Sequence, residues 1–165
     1  MPEVILKVGD DISTDVIYPG RFMATVLPTE TPRHAFADMP EFNARLNAGE
    51  FEPGSIILAG KNFGCGSSRE QAASCLKGHD LVCVAQGFAR IFLQNAVNLG
   101  LKTVVCPSIE AEEGHELEIT QTQIVNKTTG RSFDIAPHAP VRQAIIDAGG
   151  LIPYARQKLL QERRA

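Results

Sequence analysis

Gly64-Cys65-Gly66-Ser67-Ser68-Arg69-Glu70 is the segment whose residue types could most readily do chemistry. Glycines at 64 and 66 allow the main chain to approach a ligand closely. The Ser67-x-x-Glu70 spacing predicts a capped helix start, which would turn unsatisfied N–H groups and the positive end of the helix dipole outward. Two hydroxyls and the Arg69 guanidinium at that mouth complete an anion site, and the guanidinium fork can hold a carboxylate at two points. A purely structural reading stands beside this one: Ser67 caps the helix, Arg69 makes a surface pair and the glycines serve a tight turn. A P-loop needs its Lys directly before Ser or Thr, and the dinucleotide fingerprint needs a different glycine spacing. The ligand implied is therefore a small carboxylate.

Asp10-Asp11-Ile12-Ser13-Thr14-Asp15 groups acids with hydroxyls, but it lacks the glycine and closing glutamate of a calcium loop, and side chains bonding their own turn explain it as well. Arg21-Phe22-Met23-Ala24-Thr25-Val26 begins basic and continues apolar, as would suit a loop closing over a ligand with an apolar part. His34, His79, His115 and His138 are scattered and read as surface or loop residues. Asn95 and Asn98 either reach a neighbour or satisfy backbone groups. Cys65, Cys75, Cys83 and Cys106 form no C-x-x-C pair and have no histidine at ligand spacing, so no metal is expected on this chain. They read as free thiols of a cytoplasmic protein, three of them in apolar stretches where cysteine behaves as a small buried hydrophobe.

The elements that must position these residues follow from periodicity. VILKV at the start predicts a short strand, and residues 11–34, with prolines at 19, 28 and 32, predict a functional loop without regular structure. Short helical patterns end at Gly49. SIILAG, LVCVAQ and KTVVC are buried-strand runs, separated by a helix from Ser67 to a stop at Gly78 and another over FARIFLQNAVNLG. Strand and helix in alternation imply right-handed crossovers and a parallel sheet. ELEITQTQIVNKTTGRSFDI predicts an antiparallel hairpin turning at NKTTG, and two helices separated by Gly149-Gly150 close the chain.

The 165 residues, 44% hydrophobic and 21% charged, fit one globular domain rather than a disordered or fibrous chain. A net charge of −3 gives no field to attract nucleic acid or an anionic membrane. Its apolar runs are only a handful of residues long, too short for a membrane span, and the opening MPEVILKVGDD lacks the longer apolar stretch of a secretion signal.

GDDISTDVIYPGRFM, GKNFGCGSSREQAA, QGFARIFLQNAVNLGL and AGGLIPYARQKL together resemble the isopropylmalate dehydratase small-subunit family of the aconitase superfamily, across essentially the whole chain. The resemblance implies an α/β swivelling β/β/α domain over 1–165, with a parallel sheet core, flanking helices, an antiparallel hairpin and a substrate-specificity loop at about 20–34. It implies a large partner subunit carrying a [4Fe-4S] cluster, in a heterodimer or heterotetramer with the active site between the chains; an exposed interaction face could also let the isolated chain self-associate. In the pattern of the family Ser67 is the base, Ser68 and Arg69 bind a substrate carboxylate, Asp10 supports the site with Gly64 and Gly66, and Phe22, Met23, Ala24 and Thr25 set specificity. An apolar residue at Ala24 implies an alkylmalate, with isopropylmalate first, dimethylmalate or another alkylmalate next, and the tricarboxylate of homoaconitase disfavoured because Ala24 offers no charge partner. Arg21 is near enough in sequence to supply a charge if the loop turns. The reading from another class is a carboxylate-binding module without catalysis.

Overall fold

The computed structural model describes residues 2–164. Four strands, β1 (Val4–Lys7), β2 (Ile56–Ala59), β3 (Val82–Ala85) and β4 (Lys102–Val105), form a parallel sheet in sequential order. When right-handed crossovers always step in one direction, every connecting helix falls on the same face. That face carries α3 (Gln71–Gly78) and α4 (Arg90–Leu99), together with the long β1–β2 connection and its helices α1 (Thr14–Ile17) and α2 (Pro40–Asn47). The opposite face is left free for a second sheet, β5 (Leu117–Ile119), β6 (Gln123–Asn126) and β7 (Ser132–Asp134), all antiparallel. The expected hairpin is thus two of three strands, turned at Lys127–Gly130 as NKTTG predicts and extended by β5.

Alternation along the strands builds both cores. Ile57, Ala59, Cys83 and Ala85 face the helices, while Ile56, Leu58, Val82 and Val84 meet Leu117, Ile124 and Phe133 of the second sheet. All of these are buried, which is why the strands read as unbroken apolar runs. The closing helices α5 (Pro140–Asp147) and α6 (Leu151–Arg164) pack on α4 through Val97, Ile145, Ile146 and Tyr154.

Residues 11–34 are not irregular. They hold a one-turn helix α1 (Thr14–Ile17), capped by the Ser13 side chain, and 3₁₀ turns at Gly20–Phe22 and Thr31–His34. The prolines fit because each turn is short, and Pro32 lies in the first turn of its 3₁₀ helix, where its missing N–H costs nothing. α3 ends at Gly78 as expected, but not through a left-handed glycine cap. His79 is the capping residue, and Gly78 matters for its missing side chain, since a Cβ there would lie 2.1 Å from Pro32 Cγ.

All four cysteines are free, and Cys75, Cys83 and Cys106 are buried. Burial pushes the Cys83 thiol up to about 12, Cys106 up to about 11, and Cys75 upward as well. Cys65 alone is partly exposed. The native protein is therefore expected to react with Ellman's reagent at one thiol, and at all four after unfolding in urea.

Candidate active site

The two segments singled out by residue type meet at the C-terminal edge of the parallel sheet, where a sheet of this kind places its ligand. Residues 61–66 leave β2 and run between two neighbours. On one side Gly64 N donates to Ile12 O at 2.7 Å and Thr14 N to Cys65 O at 2.7 Å. On the other, Phe63 N donates to Gly87 O at 3.1 Å and Ala89 N to Phe63 O at 2.9 Å. Glycine is required twice in this run. Gly64 has φ +87° and a Cβ there would meet Phe92 Cγ at 2.2 Å, while Gly66 has φ +100°. Beneath it Phe63 is fully buried, edge-on to Phe92 and Phe88 with centroids 5.2 and 6.1 Å away.

The expected capping box does not form. α3 begins at Gln71 with Glu70 as its capping residue and no side-chain cap, so Ser67 stands four residues before the helix. Its Oγ lies instead 3.1 Å from Thr14 Oγ1 and accepts a long bond from Arg69 N at 3.4 Å. Thr14 Oγ1 also accepts the Ser67 N–H at 3.2 Å. Tight lacing of 61–66 against residues 12–14 holds the segment off helical geometry, and a distant hydroxyl takes the role that local capping would have had.

Arg69 is anchored rather than free at the surface. Its Nη1 donates to Asp15 Oδ1 at 3.1 Å and Tyr18 O at 2.9 Å, and its Nε is buried without a partner among the described residues. The Gly20 amide, and after it the Arg69 guanidinium, hold the Asp15 carboxyl below the usual carboxylate range. Ser68 is exposed, with its carbonyl held by Asn95 Nδ2 at 3.1 Å, which answers what the α4 asparagine does. Asp10 accepts from Lys61 N at 2.7 Å and braces the loop; it makes no hydrogen bond to Ser67.

The loop at 22–25 is tied to the same cluster. The buried Tyr18 hydroxyl points at Phe22 O (3.0 Å) and Thr25 O (3.1 Å), and Gln71 Nε2 donates to Met23 O at 3.1 Å. Phe22 stacks on His34 with centroids 3.9 Å apart. Further on, Thr31 Oγ1 meets Ser74 Oγ at 2.8 Å and Pro32 O meets His79 Nε2 at 2.8 Å, fastening the loop's end to α3. Ala24 is exposed at the tip. Arg21 does not turn toward the site: it pairs with Asp38 at 2.7 Å and lies over the Phe22 ring.

The remaining histidines also brace the fold, His115 toward Asn126 and His138 toward Thr103 O. Among the described residues no three His, Cys, Asp or Glu side chains converge to hold a metal ion, and no helix is long and apolar enough to cross a membrane.

Residues 12–108, the span that builds this site, match the aconitase C-terminal domain family. The chain belongs to that family. Similarity to its small-subunit branch runs nearly end to end. The 3-isopropylmalate dehydratase small subunit of Methanosarcina mazei is 41% identical over 95% of this chain and 96% of its own, and that of Moorella thermoacetica 44% identical over 92% of each. The 2,3-dimethylmalate dehydratase small subunit of Eubacterium barkeri is 40% identical over 91% of this chain and 93% of its own. The crystal structure of the 3-isopropylmalate dehydratase of Methanocaldococcus jannaschii superposes with a TM-score of 0.86 at 34% identity, covering 99% of this chain and 98% of that one. The expected β/β/α fold class is thereby borne out. What residue-by-residue reading missed is Tyr18 altogether and the partners of Thr14 and Asp15, which lie about fifty residues away in sequence.

Two consequences can be measured. Tyr18→Phe removes the hydroxyl that holds Phe22 O and Thr25 O, which is expected to cost about 1 kcal/mol in urea unfolding and to speed amide hydrogen exchange across 22–27. Burial, and after it the Arg33 and Arg21 cations, hold His34 below its ordinary value of 6.5. The unfolded chain then binds that proton first as pH falls, so stability is complete above pH 6.5 and declines through the window below it. Urea midpoints of the native protein should fall more steeply below pH 6.5 than those of His34→Gln.

Proposed function

We propose that this chain is the small subunit of a 3-isopropylmalate dehydratase, interconverting 2-isopropylmalate and 3-isopropylmalate by dehydration and rehydration in leucine biosynthesis. The observation that carries the proposal is the convergence of Ser67, Arg69 and the loop at 22–25 at one sheet edge, in a chain about 40% identical to such subunits along its length.

In this reading Ser67 Oγ is the base. With Ser67 as the alkoxide, the C–H bond beside a carboxylate breaks, the alkoxide oxygen takes the proton, the electron pair forms the C=C bond and hydroxide leaves the neighbouring carbon for the part of the site that the large subunit would supply; rehydration runs the steps in reverse at the other carbon. Arg69 and Ser68 hold the carboxylate. Phe22, Met23, Ala24 and Thr25 receive the alkyl group. With Arg21 committed to Asp38, the loop offers no free cation to a further carboxylate, which favours an alkylmalate over a tricarboxylate.

A large subunit completes the site. Met23, Val26 and Leu27 are 53%, 62% and 55% exposed, an apolar loop tip suited to burial against a partner. The cysteines here do not fit an iron–sulfur cluster, since three are buried thiols shared between two cores, so the reading assigns the [4Fe-4S] cluster to the large subunit. It also takes the protein to be cytoplasmic, consistent with four free thiols.

Anaerobic co-expression with a cluster-bearing large subunit is expected to give absorbance of the unsaturated intermediate from isopropylmalate, and little from citrate or homocitrate. Ser67→Ala in the same complex should lower turnover by about 10²–10⁴-fold, the span of a general base. Preference for dimethylmalate would keep the chemistry and change the pathway. No turnover of any of these acids, or full activity in Ser67→Ala, would return the non-catalytic carboxylate-binding module to the front.

A further inference from the structure

We infer that Thr14 is a positioning residue for the base: its hydroxyl is the donor that holds and stabilises the Ser67 oxygen. The inference rests on the reading of Ser67 given above and adds a residue to it.

Thr14 is 1% exposed, so water cannot replace whatever its hydroxyl does. Its backbone is fixed, with N–H bonded to Cys65 O at 2.7 Å inside the bridge that joins Ser13 to Cys65. A threonine hydroxyl has one proton and two lone pairs. One lone pair accepts the Ser67 N–H at 3.2 Å, and the other group within reach is Ser67 Oγ at 3.1 Å. While Ser67 is protonated either hydroxyl can donate. Once Ser67 is an alkoxide only Thr14 can, so the contact strengthens in the state the reaction needs. The Arg69 amide, at 3.4 Å, is a longer and weaker second donor.

Two contacts from one hydroxyl also fix direction. Thr14 grips Ser67 by main chain and side chain together, which sets the serine rotamer and keeps its remaining lone pairs for the substrate. The charged groups of the cluster are Arg69 on the segment of Ser67 itself and Asp15 on α1, and they are bonded to each other. The uncharged Thr14 therefore supplies what they do not: a proton aimed at the oxygen.

The test uses the reconstituted complex of this chain with its large subunit, assayed on isopropylmalate. Thr14→Val, which keeps the shape and removes the hydroxyl, is expected to lower kcat about 10- to 100-fold, the loss of one hydrogen bond to a charged group. KM should change less than twofold. The acidic limb of the kcat–pH profile should move to higher pH, because a base without its donor holds its proton more tightly. Thr14→Ser should restore both kcat and the limb to within about threefold and a few tenths of a pH unit. Thr14→Ala removes the hydroxyl without β-branching and gives the same comparison if the valine variant does not fold. Unchanged kcat in either hydroxyl-free variant overturns the inference, as does a loss of kcat with no movement of the limb. Ser67→Ala runs in parallel: an active Ser67→Ala complex overturns the reading of Ser67 itself, whereas an inactive one beside a fully active Thr14→Val overturns the Thr14 assignment alone.

Discussion

Everything at the site depends on the backbone lacing of residues 61–66. This run has no regular secondary structure, yet its amides and carbonyls are bonded on one side to residues 11–14 and on the other to 87–89. In effect the parallel sheet continues past its strand ends as isolated bridges, Ser13 to Cys65 and Phe63 to Phe88. Such bonding satisfies polar groups that would otherwise be buried unpaired. It is possible only because Gly64 lets the chain lie on the Phe92 ring and Phe63 fills the space beneath.

From that lacing the rest follows in order. Once 12–14 is registered against 64–65, Thr14 comes under Ser67 and the turn of α1 presents Asp15 and Tyr18 O to Arg69. Tyr18 in turn fixes the loop at 22–25, and α3 secures that loop through Gln71, Ser74 and the Pro32 notch at Gly78. Ser67, Arg69 and the loop at 22–25, to which the proposed function gives the base, the carboxylate and the alkyl group, are thus one connected set. A change in loop length between 15 and 31 would disturb Arg69 as much as the loop itself.

Much of the architecture was legible in the chain. The apolar runs at 56–59 and 82–85 are buried on both faces, and such runs read as central parallel strands because neither face needs a polar residue. Their sequential order, with a fixed crossover hand, also implies that the helices share one side. The Ser67–Glu70 capping box was misleading because local side-chain preference lost to tertiary hydrogen bonds. Residues 11–34 looked irregular because single helical turns between prolines leave no periodicity to detect. A third strand at 117–119 was hidden inside what reads as one hairpin, since alternation shows strands but not how many pair.

By itself, then, the sequence determined the element order, the buried strands, the two segments whose residue types could do chemistry and, through resemblance, the family, because these are carried by residue type and short-range spacing. Tertiary structure alone decided that Thr14 faces Ser67 from fifty-three positions away, that Asp15 and Tyr18 orient Arg69, and that Arg21 turns away to Asp38. Those are contacts between segments whose separation along the chain carries no period. They exist only once the sheet has set the distance between two loop ends, so no local pattern can encode them.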